Sequence, residues 1–196
     1  MIEIVSEAKG HAPGPLKQME SLRAESIGLL SILCFITHYV NYHKIQVKDE
    51  QWIHYCDNMS EVKRIKWMNV RTVLTPSASI RADMDVHFQV EEYLQQLQHT
   101  LTTHHVKGHQ TGPNLNWEAQ LNNRADKLAT EAQKQLTTIQ KTGATTKYPV
   151  CKAHVQVNGQ IITRNYDKEL QHAYTLHDFR KKWKVNSNGK NLYGEQ

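Results

Sequence analysis

Cysteine is scarce. Cys34, Cys56 and Cys151 are the only three in 196 residues, and no two form a CxxC pair. That spacing argues against a disulfide framework and against a cysteine-based zinc site, and it favours a reducing, intracellular setting. Long apolar runs are also missing. The longest, Ile27–Ile36, is about half of the roughly 20 residues that a membrane span needs, so a core helix is expected there and no membrane partner. The first residues are acidic, with no basic stretch ahead of an apolar run, so no secretory leader is expected. Neither sign of charge dominates: 24 Lys and Arg against 19 Asp and Glu give a net charge of +5, with twelve histidines beside them. A mild basic excess suits a polyanionic partner without requiring one.

Strands alternate with helices. Residues 2–7 (IEIVSE) alternate apolar and polar and read as a short strand, followed by a Gly/Pro loop. A helix opens at Ser21, taken as its N-cap, with Leu29, Leu33, Ile36 and Val40 on a core stripe. Ile32, Phe35 and Tyr39 widen that stripe to most of the circumference. Strand 51–56 ends at Asp57, and a basic helix runs from Ser60 to Met68. Another helix begins near Asp83 or Asp85, with Val86, Val90, Leu94 and Leu97 inward, and strand 101–107 enters a Gly/His loop. Asn116 caps the next helix, whose core stripe is Trp117, Leu121, Ala125, Leu128 and Ala132. Residues 137–149 read as a linker, and Asn158-Gly159 between two short apolar runs signals a two-residue hairpin. The expected units are a domain at 1–136, the linker, and a hairpin with a basic helical tail at 150–196. The class is α/β, a sheet with flanking helices.

Three carboxylates occupy chemically useful places. Glu25 lies in the first turns of a buried helix, Asp57 at the carboxyl end of a strand, and Asp126 in the helix after a glycine- and histidine-bearing loop. Hard divalent cations take such oxygen ligands, and two cations about 4 Å apart serve phosphodiester cleavage. Each carboxylate also has a plainer reading: a helix-dipole partner, a turn residue, a solvated helix position. His104, His105 and His109 invite a zinc reading, but no matching pair stands at ligand spacing. Lys63, Arg64 and Lys66, with Trp67, read either as a phosphate grip or as a solvated helix face.

At these residues the chain resembles type 1 ribonuclease H in the form found in reverse-transcriptase polyproteins of retroelements. MESLRAESIGLLSIL (19–33) is similar to the helix carrying the family's catalytic glutamate, which maps to Glu25. HYCDNMS (54–60) is similar to the strand end with its second aspartate, here Asp57. HVKGHQ (105–110) resembles the loop with its mobile histidine, here His109. LNWEAQLNNRADKLA (115–129) resembles the closing helix with its last aspartate, here Asp126. The resemblance spans about residues 2 to 132. It implies a ribonuclease H-like mixed sheet and an RNA:DNA-hybrid endoribonuclease using Mg²⁺ or Mn²⁺. Glu25, Asp57 and Asp126 would be the metal ligands, with His109 assisting proton transfer or product departure. Asn58, Gln110 and Asn122 stand near the site as candidate contacts to sugars.

The chain also departs from the family. The family's opening strand carries an Asp-Gly pair whose aspartate bridges both cations, and nothing here matches it. The chain opens on what resembles the third strand, so the resemblance implies an N-terminally truncated domain lacking the first two strands. Impaired catalysis is the expectation, with Glu3 and Glu7 as weak substitutes, and a non-catalytic nucleic-acid-binding relic as the alternative. For the sheet, strand 2–7 is expected to move beside strand 51–56 and give a three-stranded remnant, or else the sheet frays. An integrase or transposase core needs a different carboxylate order, and the Lys107-Gly108-His109-Gln110 loop argues against it.

Overall fold

The computed structural model describes residues 4, 6–14, 19–70, 81–135, 147–150, 155–157 and 159–183. The chain is mixed α/β, with a small parallel pair of strands and a separate antiparallel hairpin. The elements are α1 (Ser21–His43), β1 (Trp52–Cys56), α2 (Met59–Asn69), α3 (Met84–Gln96), β2 (Leu101–His105), α4 (Trp117–Lys134), β3 (Val155–Val157), β4 (Gln160–Ile162) and α5 (Tyr166–Trp183). β1 pairs parallel with β2 in the register Trp52↔Leu101 to Cys56↔His105. β3 and β4 pair antiparallel around Gly159, whose φ of 78° only glycine adopts freely. That hairpin stands where Asn158-Gly159 signals it.

The core lies between α1 and α3. Leu29, Leu33, Ile36 and Val40 of α1 pack with Val86, Val90 and Leu94 of α3, and with Ile65 and Met68 of α2. Burying each such side chain stabilises the fold by roughly 1.5–3 kcal/mol. α1 ends where Lys44 turns left-handed (φ 55°) and Ile45 N–H donates to Val40 O at 3.0 Å. Its N-cap is Glu20, not Ser21, and no side chain caps it. Ser21 is engaged elsewhere: its Oγ accepts from Asn58 Nδ2 at 3.0 Å.

Several expectations need correction. Ile32, Phe35 and Tyr39 are exposed, because α3 and α2 cover only one side of α1. By length and composition α1 is long and apolar enough to cross a membrane, although the Ile27–Ile36 run alone is too short; its buried face packs on α3. On α4, Ala125 is exposed, Trp117 largely so, and only Ala119 and Ala132 are buried. A two-stranded sheet is too narrow to cover that stripe. Residues 1–3 and 5 lie outside the described residues, while Ile4, Ser6 and Glu7 belong to no strand. Among the described residues β1 pairs only with β2. The segment is drawn to α4 instead: Glu7 takes two bonds from Arg124 (2.7 and 2.8 Å), and Lys9 pairs with Glu131 at 2.7 Å.

Residues 137–146 of the expected linker lie outside the described residues, but Tyr148 is buried in the core. Further on, Thr163 O accepts from Asp83 N–H at 2.8 Å, so the hairpin packs at the start of α3.

Beneath this junction runs a buried ionic network. Arg23 donates to both carboxylate oxygens of Asp85 at 2.8 Å and to Asp83 at 3.2 Å, all three side chains being almost sealed from solvent. Burial alone would lower the pKa of Arg23; Asp85 and Asp83 more than offset it and raise it. Deeper, His87 Nδ1 stands 2.8 Å from Asp83 O and Nε2 2.9 Å from Glu61 Oε2, with Arg64 Nη1 3.3 Å from Nδ1. Ser26 Oγ lies 2.8 Å from the same Glu61 oxygen. Ser, His and Glu also compose hydrolytic triads, yet all three are wholly buried here, and no substrate reaches them.

Arg23→Ala leaves Asp83 and Asp85 buried without their cation. Equilibrium urea denaturation should show a loss of about 3–5 kcal/mol relative to the unsubstituted chain.

Candidate functional site

The carboxyl end of β1 builds the site. Its last residue, Cys56, is buried, and Asp57 follows as the backbone leaves the sheet. Asn58 then caps α2, its Oδ1 accepting from Ser60 N–H (3.0 Å) and Glu61 N–H (3.3 Å). With Asn58 Nδ2 donating to Ser21 Oγ, one amide joins the starts of α1 and α2 and fixes Asp57 between them.

Glu25 comes from α1, one turn beyond Ser21. One ligand atom each from Glu25, Cys56 and Asp57 falls within 4.8 Å of the others, a group able to hold a metal ion. Burial raises the pKa of Glu25, and the negative charges of Asp57, Glu61 and Asp126 raise it further. Asp126 of α4 is therefore within electrostatic reach of the pair, although it lies outside the tight group. Burial pushes the Cys56 thiol up to about 12. Its Sγ stands 3.9 Å from Glu25 Oε2, a weak donor and a poor thiolate, so the ligands at hand are carboxylate oxygens.

The Gly108 loop closes the site from β2. A Cβ at Gly108 would stand 2.5 Å from Asp57 Oδ2, so any larger residue there would displace the carboxylate. Asn122 Nδ2 donates to the same oxygen at 3.2 Å, and His105 Nε2 lies 3.2 Å from Asp57 O. His109 is exposed, with a left-handed φ of 50°, and its Nδ1 stands 3.3 Å from Asp126 Oδ2. Asn123 Nδ2 donates to Gln110 O at 2.8 Å and ties this loop to α4.

The structure thus gathers Glu25, Asp57, Asn122, His109 and Asp126 around one loop. Asn58 is spent on the cap, and Gln110 Nε2 donates to Lys107 O at 2.9 Å. Lys63 and Lys66 are exposed on α2. Arg64 turns inward, donating to Ala82 O at 2.8 Å. Arg81 lies over Trp67, 5.7 Å from the ring centroid. Glu7, a weak substitute for the family's opening aspartate, is held by Arg124; Glu3 lies outside the described residues. Sequence reasoning missed Cys56 as a neighbour of Glu25 and Gly108 as the floor beneath Asp57. The only signals were adjacency to Asp57 and the loop glycine. The chain matches no protein-family model, no curated protein and no solved structure.

The raised pKa of Glu25 has a signed consequence. A carboxyl harder to ionise when folded favours the fold below its unfolded pKa, and that contribution is lost as pH rises through the folded value. In chelator-treated buffer Glu25→Gln should therefore raise Tm at pH 7, and the difference should vanish below about pH 4. Adding Mg²⁺ or Mn²⁺ should raise Tm in the unsubstituted chain and much less in the variant.

Proposed function

We propose that this chain is a ribonuclease H-type domain of retroelement origin, acting on RNA paired to DNA in a cation-dependent reaction. The observation that carries the reading is the meeting of Glu25 and Asp57, from α1 and the end of β1, beside the Gly108 loop, with Asp126 in electrostatic reach. Carboxylates drawn this close repel one another, and a divalent cation relieves the repulsion. Since the thiol of Cys56 stays protonated, the oxygen donors suit Mg²⁺ or Mn²⁺. Glu25 and Asp57 would hold the cation, which when bound supplies Lewis acidity for water attack on a phosphodiester.

The chain's own residues do the rest. Asn122 holds Asp57 in place through Oδ2, and Asn58 fixes the strand end by capping α2. His109, exposed on its loop and backed by Asp126, carries a proton to the departing oxygen. Lys63 and Lys66 face solvent on α2 and suit backbone phosphates. A hybrid is distinguished from DNA by its 2′-hydroxyls in the shallow minor groove.

A second reading, a nucleic-acid binder without turnover, draws on the state of Glu7. Its carboxylate is committed to Arg124, and the tight group among the described residues holds two carboxylates, those of Glu25 and Asp57. With one cation in place of two, the departing oxygen would lack its own Lewis acid and turnover would be slow.

Cleavage of a labelled RNA:DNA hybrid in Mg²⁺ or Mn²⁺, run beside Asp57→Asn, tests the proposal. The expected result is slow product formation that falls by on the order of 100-fold in the variant. Background-level product from both rejects catalysis, and retained hybrid binding in a gel shift would then select the second reading.

A further inference from the structure

The outward side of α1 is unlike the surface of an ordinary amphipathic helix. From Ser26 to His43 the sequence contains no Lys, Arg, Asp or Glu. Opposite the stripe packed on α3, Ile32 is 48% exposed, Phe35 62%, Tyr39 44% and Tyr42 83%. Phe35 stacks on Tyr39 with ring centroids 6.2 Å apart, and the His43 ring lies 4.4 Å from Tyr39 and 4.9 Å from Tyr42, so the rings form one continuous ridge. At about 220 Å² per large side chain, these four leave roughly 500 Å² of apolar surface open. Isolated exposed apolar residues are ordinary; a contiguous strip of this size ranks with the largest apolar patches of a monomer, which often mark interaction sites.

The strip is also graded in size. Towards the N-terminus it is small, with Gly28 and Ser31 exposed and open space where a Gly28 Cβ would stand. Towards the C-terminus it is bulky, with Phe35, Tyr39 and Tyr42. Laid antiparallel on an identical helix, the aromatic half of each strip covers the small half of the other, and Ile32 falls near the two-fold axis. A two-fold contact repeats the same patch on both sides, so an uncharged patch brings no like charges together. Two such strips bury about 1,000 Å² before their flanks are counted, the size at which specific interfaces begin.

We infer that α1 is the dimer interface of this protein, packing antiparallel against α1 of a second copy. The inference is independent of the nuclease reading and goes beyond it.

Analytical ultracentrifugation of the full chain across micromolar concentrations tests it. The expected result is a concentration-dependent dimer, with Phe35→Glu monomeric over the same range and its helical circular dichroism unchanged. The dissociation constant should weaken by on the order of 100-fold or more. As a second measurement, Ser31→Cys treated with a short bis-maleimide should give a cross-linked dimer above the level of the unsubstituted chain. A chain that stays monomeric throughout overturns the inference, as does a Phe35→Glu variant that stays dimeric or an absence of added cross-linking. Monomers that co-float with phosphatidylcholine vesicles would overturn it in favour of a lipid surface.

Discussion

The guanidinium of Arg23 holds the two ends of the fold together. It lies two residues before Glu25 on α1 and reaches across to Asp83 and Asp85 at the start of α3. Asp83 is in turn the point where the later hairpin attaches: its N–H donates to Thr163, and Arg164 approaches its free oxygen at 4.0 Å. Without the cation, two buried carboxylates would face each other across a dry junction, a far worse arrangement than any hydrophobic replacement of the whole trio. The pair therefore sets the rotation of α1 about its axis. That rotation decides whether Glu25 points towards β1 or away from it.

A second tension lies one layer in. Glu61 sits under the site with one oxygen shared by Ser26 and His87, while Oε1 has no hydrogen-bond partner among the described residues. Its charge is felt by both Glu25 and Cys56. Negative charge is thus concentrated on both sides of the end of β1, while the Arg23 and Arg64 guanidinium groups are engaged in the core. Such a site is poor for the fold at rest and receptive to positive charge from outside, a trade that functional sites commonly make.

What was legible in the sequence was local. The hairpin at Asn158-Gly159, the Asn116 cap of α4 and the strand ending at Asp57 depend on neighbouring residues, and they stand where the pattern puts them. The convergence of Glu25 and Asp57 was readable only through the ordered resemblance of the four sequence blocks, because spacing along the chain does not encode contact. What the sequence hid was the partner of each polar group. Nothing in the periodicity of α3 shows that Asp83 would abandon helix capping for Arg23, or that Arg64 would turn from solvent to Ala82. Ile32, Phe35 and Tyr39 stay exposed for a related reason. A pattern reports which residues are apolar, not how many neighbours exist to cover them.

The parallel pairing of β1 with β2 bears on how the chain reaches this state. Every rung of that ladder joins a residue in 52–56 to one in 101–105, with α2 and α3 in the intervening chain. Closing so long a loop for five short rungs gains little until the helices have condensed, so the sheet is expected to form late in folding. The end of β1, with Cys56 and Asp57, would then be among the last regions to take shape. Assembly order and chemistry would meet at the same few residues, and a ligand bound there would act mainly by slowing the first step of unfolding.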